Sequence, residues 1–581
     1  MSIFQYDHTL PALPAATLAD TCENLKSMIK PLVNTEVWKE ACHLLDQFSA
    51  ESGDGTALQK LLTDWKDSMA GNNSWLRPIW NDIYLSYRDR LPVNMNYSFR
   101  LMHERWGEDA LPVFISGLCH MAKEIRSDSL EAEASRAGYQ SMDMLESMIY
   151  TRIPGTVQGT LYYPPLSAPA TVAVVCKGHW FILSLQDKEG GIVSPASIKT
   201  ALSDIRKKAE TMGDSESIGT MTCAKQDDAL KMRALVSENI GNRINLASIE
   251  NALFTVSLDE VPEKEEDFAY HLICGECANR WYDKSLQIIS AGEYLGVNIE
   301  HSGCDAGIWT YFLSQTDRFI SEQSGNLGSN DDQAHIRPLE WVVSDELTAQ
   351  LQKADTDYNA LVESLSISQV RIDSVSKNII KSKKCSPDAF VQLLYQASYY
   401  KLTGKFRSVY EAVSSRNFYQ GRTECVRPCT LESVAFIKAL TEKEEPSKTQ
   451  ELFRLAENAH RREIGKCQQA SGAERHMAGL LAICGMYADT SKYAGENPPA
   501  IYKSEGYQTL RHDAVSTSSV TAPYIDFFGF GPVVDDGMGI GYGVKDGALH
   551  LMISSYKESG ICPDQFILVL KETADEFLKL L

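Results

Sequence analysis

Short β-prone runs closed by glycine-containing turns recur between long stretches of helical periodicity, and this alternation restricts the chain to α/β or α+β layers. Residues 286–290 and 294–300 flank Ala-Gly-Glu, and residues 539–544 and 548–554 flank Lys545-Asp546-Gly547; both read as β-hairpins. A third strand pattern covers 171–185 and ends in the turn 186–191. Between them, apolar residues spaced by three and four predict helices from 17 to about 65, with Pro11, Pro14 and Pro31 as punctuation. Further helices are expected at 201–212, 226–239, 345–383 and from Pro387 to about 402. A last one starts near Pro563, with Phe566, Leu570, Phe577 and Leu581 on one face.

At 581 residues the chain exceeds what a single core supports, so two large domains are expected, one of them interrupted. No apolar run approaches the length of a membrane span. The N-terminus has neither the order of a secretory signal nor the Arg-rich, acid-poor character of a presequence, and Lys579-Leu580-Leu581 is a poor peroxisomal address. Fourteen scattered cysteines suit a reducing compartment, and a cytoplasmic location is expected. Cys274-Gly-Glu-Cys277, with His271 nearby, lacks the second pair a zinc site needs, so no metal is expected. A net charge of −21 argues against nucleic-acid partners and anionic membranes; an anionic ligand would need a local basic patch.

Four groups of residues carry chemistry. His301, one of twelve histidines, follows a predicted strand and precedes a predicted helix from 308, a junction that aims side chains into sites. Asp305 is close enough to orient its ring or to shape the loop, as a general base requires. Lys377 and Lys381 share a helix face, with Lys383 and Lys384 following: either a solvated face or a phosphate pocket, which Arg461 could join through the fold. Ser516-Thr517-Ser518-Ser519 reads as a loop, unless a hydroxyl faces a tetrahedral centre as an oxyanion donor. Tyr410, Arg416, Arg422 and Arg427 read as ordinary ion pairing around a tyrosine.

In order along the chain these blocks resemble the carnitine/choline acyltransferase family. The resemblance rests on Leu10-Pro-Ala-Leu-Pro14, on Trp80 with Tyr84, Arg88 and Leu91-Pro-Val-Asn-Met-Asn96, on residues 252–259 and 279–284, and on Glu300-His-Ser-Gly-Cys-Asp305. It continues through residues 386–392, Tyr410-Glu411, Gly421-Arg-Thr-Glu424, Ser516-Thr-Ser518 and residues 531–537, so it spans about residues 10 to 570.

The resemblance implies an α/β protein of two chloramphenicol-acetyltransferase-like domains, 67–343 and 1–66 plus 344–581, with a tunnel between them. It implies a carnitine O-acyltransferase acting on carnitine and acyl-CoA, with CoA as substrate, no permanently bound cofactor, and a single chain as the working unit, a monomer. His301 would be the base and Ser518 the oxyanion donor, with Asp305 in support. Lys377, Lys381, Asp388, Arg461 and Ser519 match CoA-contacting positions, although Ser519 replaces a glutamine. Tyr410, Thr423 and Ser516 match carnitine-binding positions, with Arg475 offsetting the carboxylate charge at longer range and Trp80 and Tyr84 in the same set. Ala412 stands where some members have a carnitine-contacting serine and alanine is tolerated, and Cys425 where carnitine-specific members usually have threonine, so Cys425 is expected to weaken polar fixation of the carboxylate. Phe528, with Gly529 as the neighbouring register, aligns with an acyl-pocket gate and favours short chains such as acetyl. Medium- or long-chain carnitine transfer and choline O-acetyl transfer are the alternatives.

Overall fold

The computed structural model describes residues 3–69, 71, 73–135, 138–165, 168–323, 327, 332–486 and 498–581. Two large sheets organise the chain. An eight-stranded sheet runs in the order His335–Pro338, His179–Ser184, Thr171–Cys176, Thr255–Leu258, Leu286–Ala291, Tyr294–Ile299, Tyr97–Leu101, Ile525–Phe530. A six-stranded sheet runs Leu365–Ile372, Leu549–Tyr556, Met538–Val544, Val515–Ser519, Val409–Ser414, Thr423–Val426. Both are mixed, with parallel pairs at their centres. Among the described residues no helix is long and apolar enough to cross a membrane.

The helices Leu18–Ile29, Thr35–Ser49 and Asp54–Ser68 form where the apolar spacing predicts them; Thr17 and Asn34 cap the first two by accepting backbone N–H groups. Their buried stripe packs with Leu76–Leu85 and Glu474–Met486 around Leu25, Leu45, Leu62, Trp75 and Leu480. Both predicted hairpins are present in register, and the closing helix Pro563–Leu580 buries Phe566, Leu570 and Phe577.

Two expectations are corrected. The helical stretch 345–383 is a helix Asp345–Ser364, an edge strand Leu365–Ile372 and a short helix Lys377–Ser382. The hydroxyl run is no loop: Val515–Ser519 is an interior strand of the six-stranded sheet, paired on both sides.

One strand joins the halves. Ile525–Phe530, from the segment expected in the second domain, pairs antiparallel with Tyr97–Leu101 and ends the first sheet. It also lies against the second sheet, where a Cβ on Gly541 would fall 2.1 Å from the Phe528 carbonyl oxygen and one on Gly529 2.0 Å from Met552 Sδ. Glycine at both places lets the two backbones approach.

Candidate functional site

Where the sheets meet they line a half-open cavity of about 390 Å³. The first sheet contributes Tyr97, Phe528 and the loop with His301 and Asp305; the second contributes Tyr410, Thr423, Ser516, Ser518 and Ser519; Tyr84 closes one side. Nine of the site residues expected from the resemblance therefore line one space, with Ala412 and Thr517 beside them. Trp80 and Arg475 lie directly behind it, stacked with a cation-to-ring distance of 4.1 Å.

His301 follows the Tyr294–Ile299 strand. Its ring lies between Tyr84 and Tyr97, at centroid distances of 5.1 and 4.9 Å. Nδ1 is buried and makes no hydrogen bond. Burial lowers the His301 pKa, the Asp305 charge raises it and the Arg422 charge lowers it; the balance lies below the ordinary value, which favours the neutral ring.

Asp305 stands 3.9 Å from Nδ1, too far for a hydrogen bond, and both its oxygens are taken by Arg422 at 2.9 and 3.0 Å. Burial pushes the Asp305 carboxyl up, but the Arg422 charge and hydrogen bonds outweigh it and hold it low. Arg422 also donates to the carbonyls of Ser302 and His301, so of the two roles open to Asp305 the geometry matches the loop-shaping one. In the sequence Arg422 looks like a member of an ordinary ion pair; its partner is 117 residues away, which no local pattern reveals.

A second buried network backs the same loop. Glu300 accepts hydrogen bonds from Tyr150 (2.6 Å), Ser302 Oγ (2.6 Å) and Ser302 N (2.9 Å). Arg152, like Glu300 without exposed side-chain surface, lies 3.5 Å from it and donates to Ser302 Oγ and to the carbonyls of Leu85 and Tyr87. Tyr150 accepts from Gly303 N, and a Cβ on Gly303 would fall 2.5 Å from the Tyr150 ring.

In the Val515–Ser519 strand, alternation puts Ser516 and Ser518 on the face opposite Thr517. Thr517 commits its hydroxyl to the Tyr410 carbonyl, and Ser516 and Ser518 line the cavity. Phe528 packs on Phe99, Phe530 and Tyr97 at 5.5, 5.7 and 6.1 Å.

Arg475 donates to the Tyr410 hydroxyl (3.0 Å), the Thr423 carbonyl (3.1 Å) and, more loosely, Thr423 Oγ1 (3.4 Å). It is buried and, among the described residues, has no ion-pair partner. Cys425 is buried with its thiol turned to the Val426 carbonyl, and it is not among the cavity-lining residues, so the weakening expected of it has no geometric basis.

The remaining candidates lie apart from this space. Lys377 is 3.4 Å from Asp546, Lys381 is exposed on its short helix, and Arg461 is exposed on the helix Pro446–Gln468. Asp388 sits one layer beneath Ser519, whose register partner Tyr542 donates to it at 2.8 Å. Asp388 also lies 3.0 Å from His460 Nε2, and Glu411 lies 3.5 Å from the same nitrogen. These three could hold a metal ion by geometry. They also offset one another without one: burial and the neighbouring Asp388 charge push the Glu411 carboxyl well up, while His460 and Tyr542 outweigh burial at Asp388 and hold it low.

Known proteins give the context. The chain is 26% identical to "Carnitine O-palmitoyltransferase 2, mitochondrial" of Xenopus tropicalis, over 99% of this chain and 92% of that one. It is 25% identical to "Carnitine O-acetyltransferase" of Rattus norvegicus, over 95% and 90%, and 27% identical to "Choline O-acetyltransferase" of Homo sapiens, over 94% and 76%. The sequence profile described as Choline/Carnitine o-acyltransferase matches residues 13–572, and with nearly its whole length covered the chain belongs to that family.

Proposed function

We propose that this chain moves a short acyl group between CoA and the hydroxyl of carnitine, with His301 as general base. His301 takes the hydroxyl proton on Nε2, since Nδ1 is buried beside Asp305. The freed oxygen attacks the thioester carbonyl. Ser518 donates a hydrogen bond to the oxyanion, the C–S bond breaks, and the departing thiolate takes the proton from His301. No acyl-enzyme forms. Arg422 and Asp305 hold the base in place. CoA enters from the side of Lys377, Lys381 and Arg461, whose charges meet its phosphates, with Asp388 and Ser519 further along its path; the acceptor enters from the opposite side.

The observation that carries carnitine over choline is Arg475, a buried cation with no ion-pair partner among the described residues, directly behind the cavity. A carboxylate beside it supplies a counter-charge to the guanidinium, and choline has none. Tyr410, Thr423 and Ser516 fix that carboxylate, and Trp80 holds Arg475 from behind. The test is kcat/KM for carnitine against choline with acetyl-CoA: the reading expects carnitine to lead by at least about tenfold, and a preference for choline overturns it.

Phe528 supports the short-chain reading, because its ring forms part of the cavity wall. Phe528→Gly is expected to raise kcat/KM for octanoyl-CoA relative to acetyl-CoA by about tenfold or more. An unchanged chain-length profile would place the acyl group elsewhere. A cytoplasmic location is also part of the proposal; the Xenopus tropicalis relative carries a mitochondrial name, and cell fractionation decides between the two compartments.

A further inference from the structure

Glu424 follows Thr423 on the Thr423–Val426 strand, so its side chain turns away from the face that carries Thr423. It is 5% exposed. One carboxyl oxygen accepts the N–H of Cys425 at 2.8 Å and that of Arg475 at 3.2 Å, in the first turn of the helix Glu474–Met486. Gly472 leaves it room: a Cβ there would lie 2.5 Å from the carboxyl carbon. Arg475 is thus held by Thr423 through its side chain and by Glu424 through its backbone.

Burial pushes the Glu424 carboxyl up, the Arg475 charge pulls it part of the way back, and it settles at about 7. The titratable groups around it are few. From the Glu474–Met486 helix come Arg475, Glu474 and His476; from Pro446–Gln468 comes Cys467; its own strand adds Cys425. Glu474 is committed to Arg427 and Arg511, burial holds His476 neutral with a pKa of about 4, and burial pushes both thiols up. Leu13, Pro14, Ala16, Trp75 and Leu76, which line the small void beside it, do not titrate. Among the described residues of this shell, Glu424 is therefore the group that changes charge near neutral pH.

We propose that Glu424 is a positioning residue that acts through Arg475: its carboxylate competes with the acceptor carboxylate for the same guanidinium field, so that an anionic acceptor binds together with a proton at Glu424. This rests on the reading of Arg475 as the group that meets the acceptor carboxylate. Below neutral pH, Glu424 is neutral and Arg475 is an open anion site. Above it, Glu424 ionises, offsets Arg475, and must be reprotonated when the anion binds. A cationic acceptor without a carboxylate gains nothing from that proton.

The experiment measures KM for carnitine and for choline between about pH 6.5 and 8.5 in the wild type, Glu424→Gln and Arg475→Ala, with acetyl-CoA saturating. In the wild type the carnitine KM should rise several-fold across this range while kcat stays level and the choline KM does not rise. Glu424→Gln keeps an oxygen to accept the two N–H groups and should hold the carnitine KM low and flat. A Glu424→Gln profile that rises as the wild type does overturns the proposal. Arg475→Ala should raise the carnitine KM at every pH; if it leaves that KM unchanged, the reading of Arg475 fails and the proposal with it. Should Glu424→Gln not fold, calorimetric titration of the wild type with carnitine in two buffers of different ionisation heat gives the answer at about pH 7.5. Net uptake approaching one proton per carnitine supports the proposal, and no uptake overturns it.

Discussion

His301→Ala is expected to lower kcat by about 10²- to 10⁴-fold, the usual contribution of a positioned acid–base group, while the fold is retained. The reason for retention is specific: the ring's Nδ1 has no hydrogen-bond partner to lose, and the loop is fixed by Arg422 and Glu300 through other atoms. Binding of acyl-CoA should be unaffected, since none of the cationic candidates for its phosphates is near the ring. The pH profile carries a second signature. Because burial holds the His301 pKa below its ordinary value, the neutral base persists to lower pH, and the acid limb of kcat/KM should lie below about pH 6.5. An acid limb above that value, or an alanine variant that turns over normally, would remove His301 from the reaction.

Glu300→Ala is expected to be the most damaging substitution for stability. It leaves the buried Arg152 guanidinium without its carboxylate and strips acceptors from Tyr150 and Ser302. Breaking a buried pair from one side costs about 3–5 kcal/mol, read as a fall in the unfolding midpoint. Glu300→Gln keeps an acceptor for Tyr150 or Ser302 while losing the charge, and should fall between the alanine variant and the wild type. Both variants should also lose kcat, because the chain segment that carries His301 begins at this residue. A Glu300→Ala protein with an unchanged midpoint would show that the network contributes no net stability.

How much was legible beforehand follows from what each signal depends on. The hairpins at 286–300 and 538–556 show in the sequence because each carries its own turn chemistry. The strand Leu365–Ile372 was hidden: residues 345–383 contain no glycine or proline, so nothing punctuates the passage from helix to strand, although Leu365 and Ile367 alternate with serines. Ser516–Ser519 reads as a loop because hydroxyl residues are common in loops, yet Thr517 satisfies its hydroxyl within the sheet and Ser516 and Ser518 face the cavity. Similarity of short ordered blocks brought His301, Ser518, Tyr410 and Thr423 together before any geometry was known. It did not bring Arg422 to Asp305 or Arg152 to Glu300, pairings that exist only once distant segments fold together. Glu424 belongs to the Gly421–Glu424 block, and only its burial against Arg475 gives it a role.

The most direct measurement mixes the wild-type enzyme, at a concentration comparable to acetyl-CoA, with and without carnitine, and follows free CoA thiol from the first turnover. Direct transfer through His301 predicts no thiol release without carnitine and, with it, one acylcarnitine formed for each thiol released. A burst of thiol equal to the enzyme concentration in the absence of any acceptor would mean an acyl-enzyme and would contradict the account.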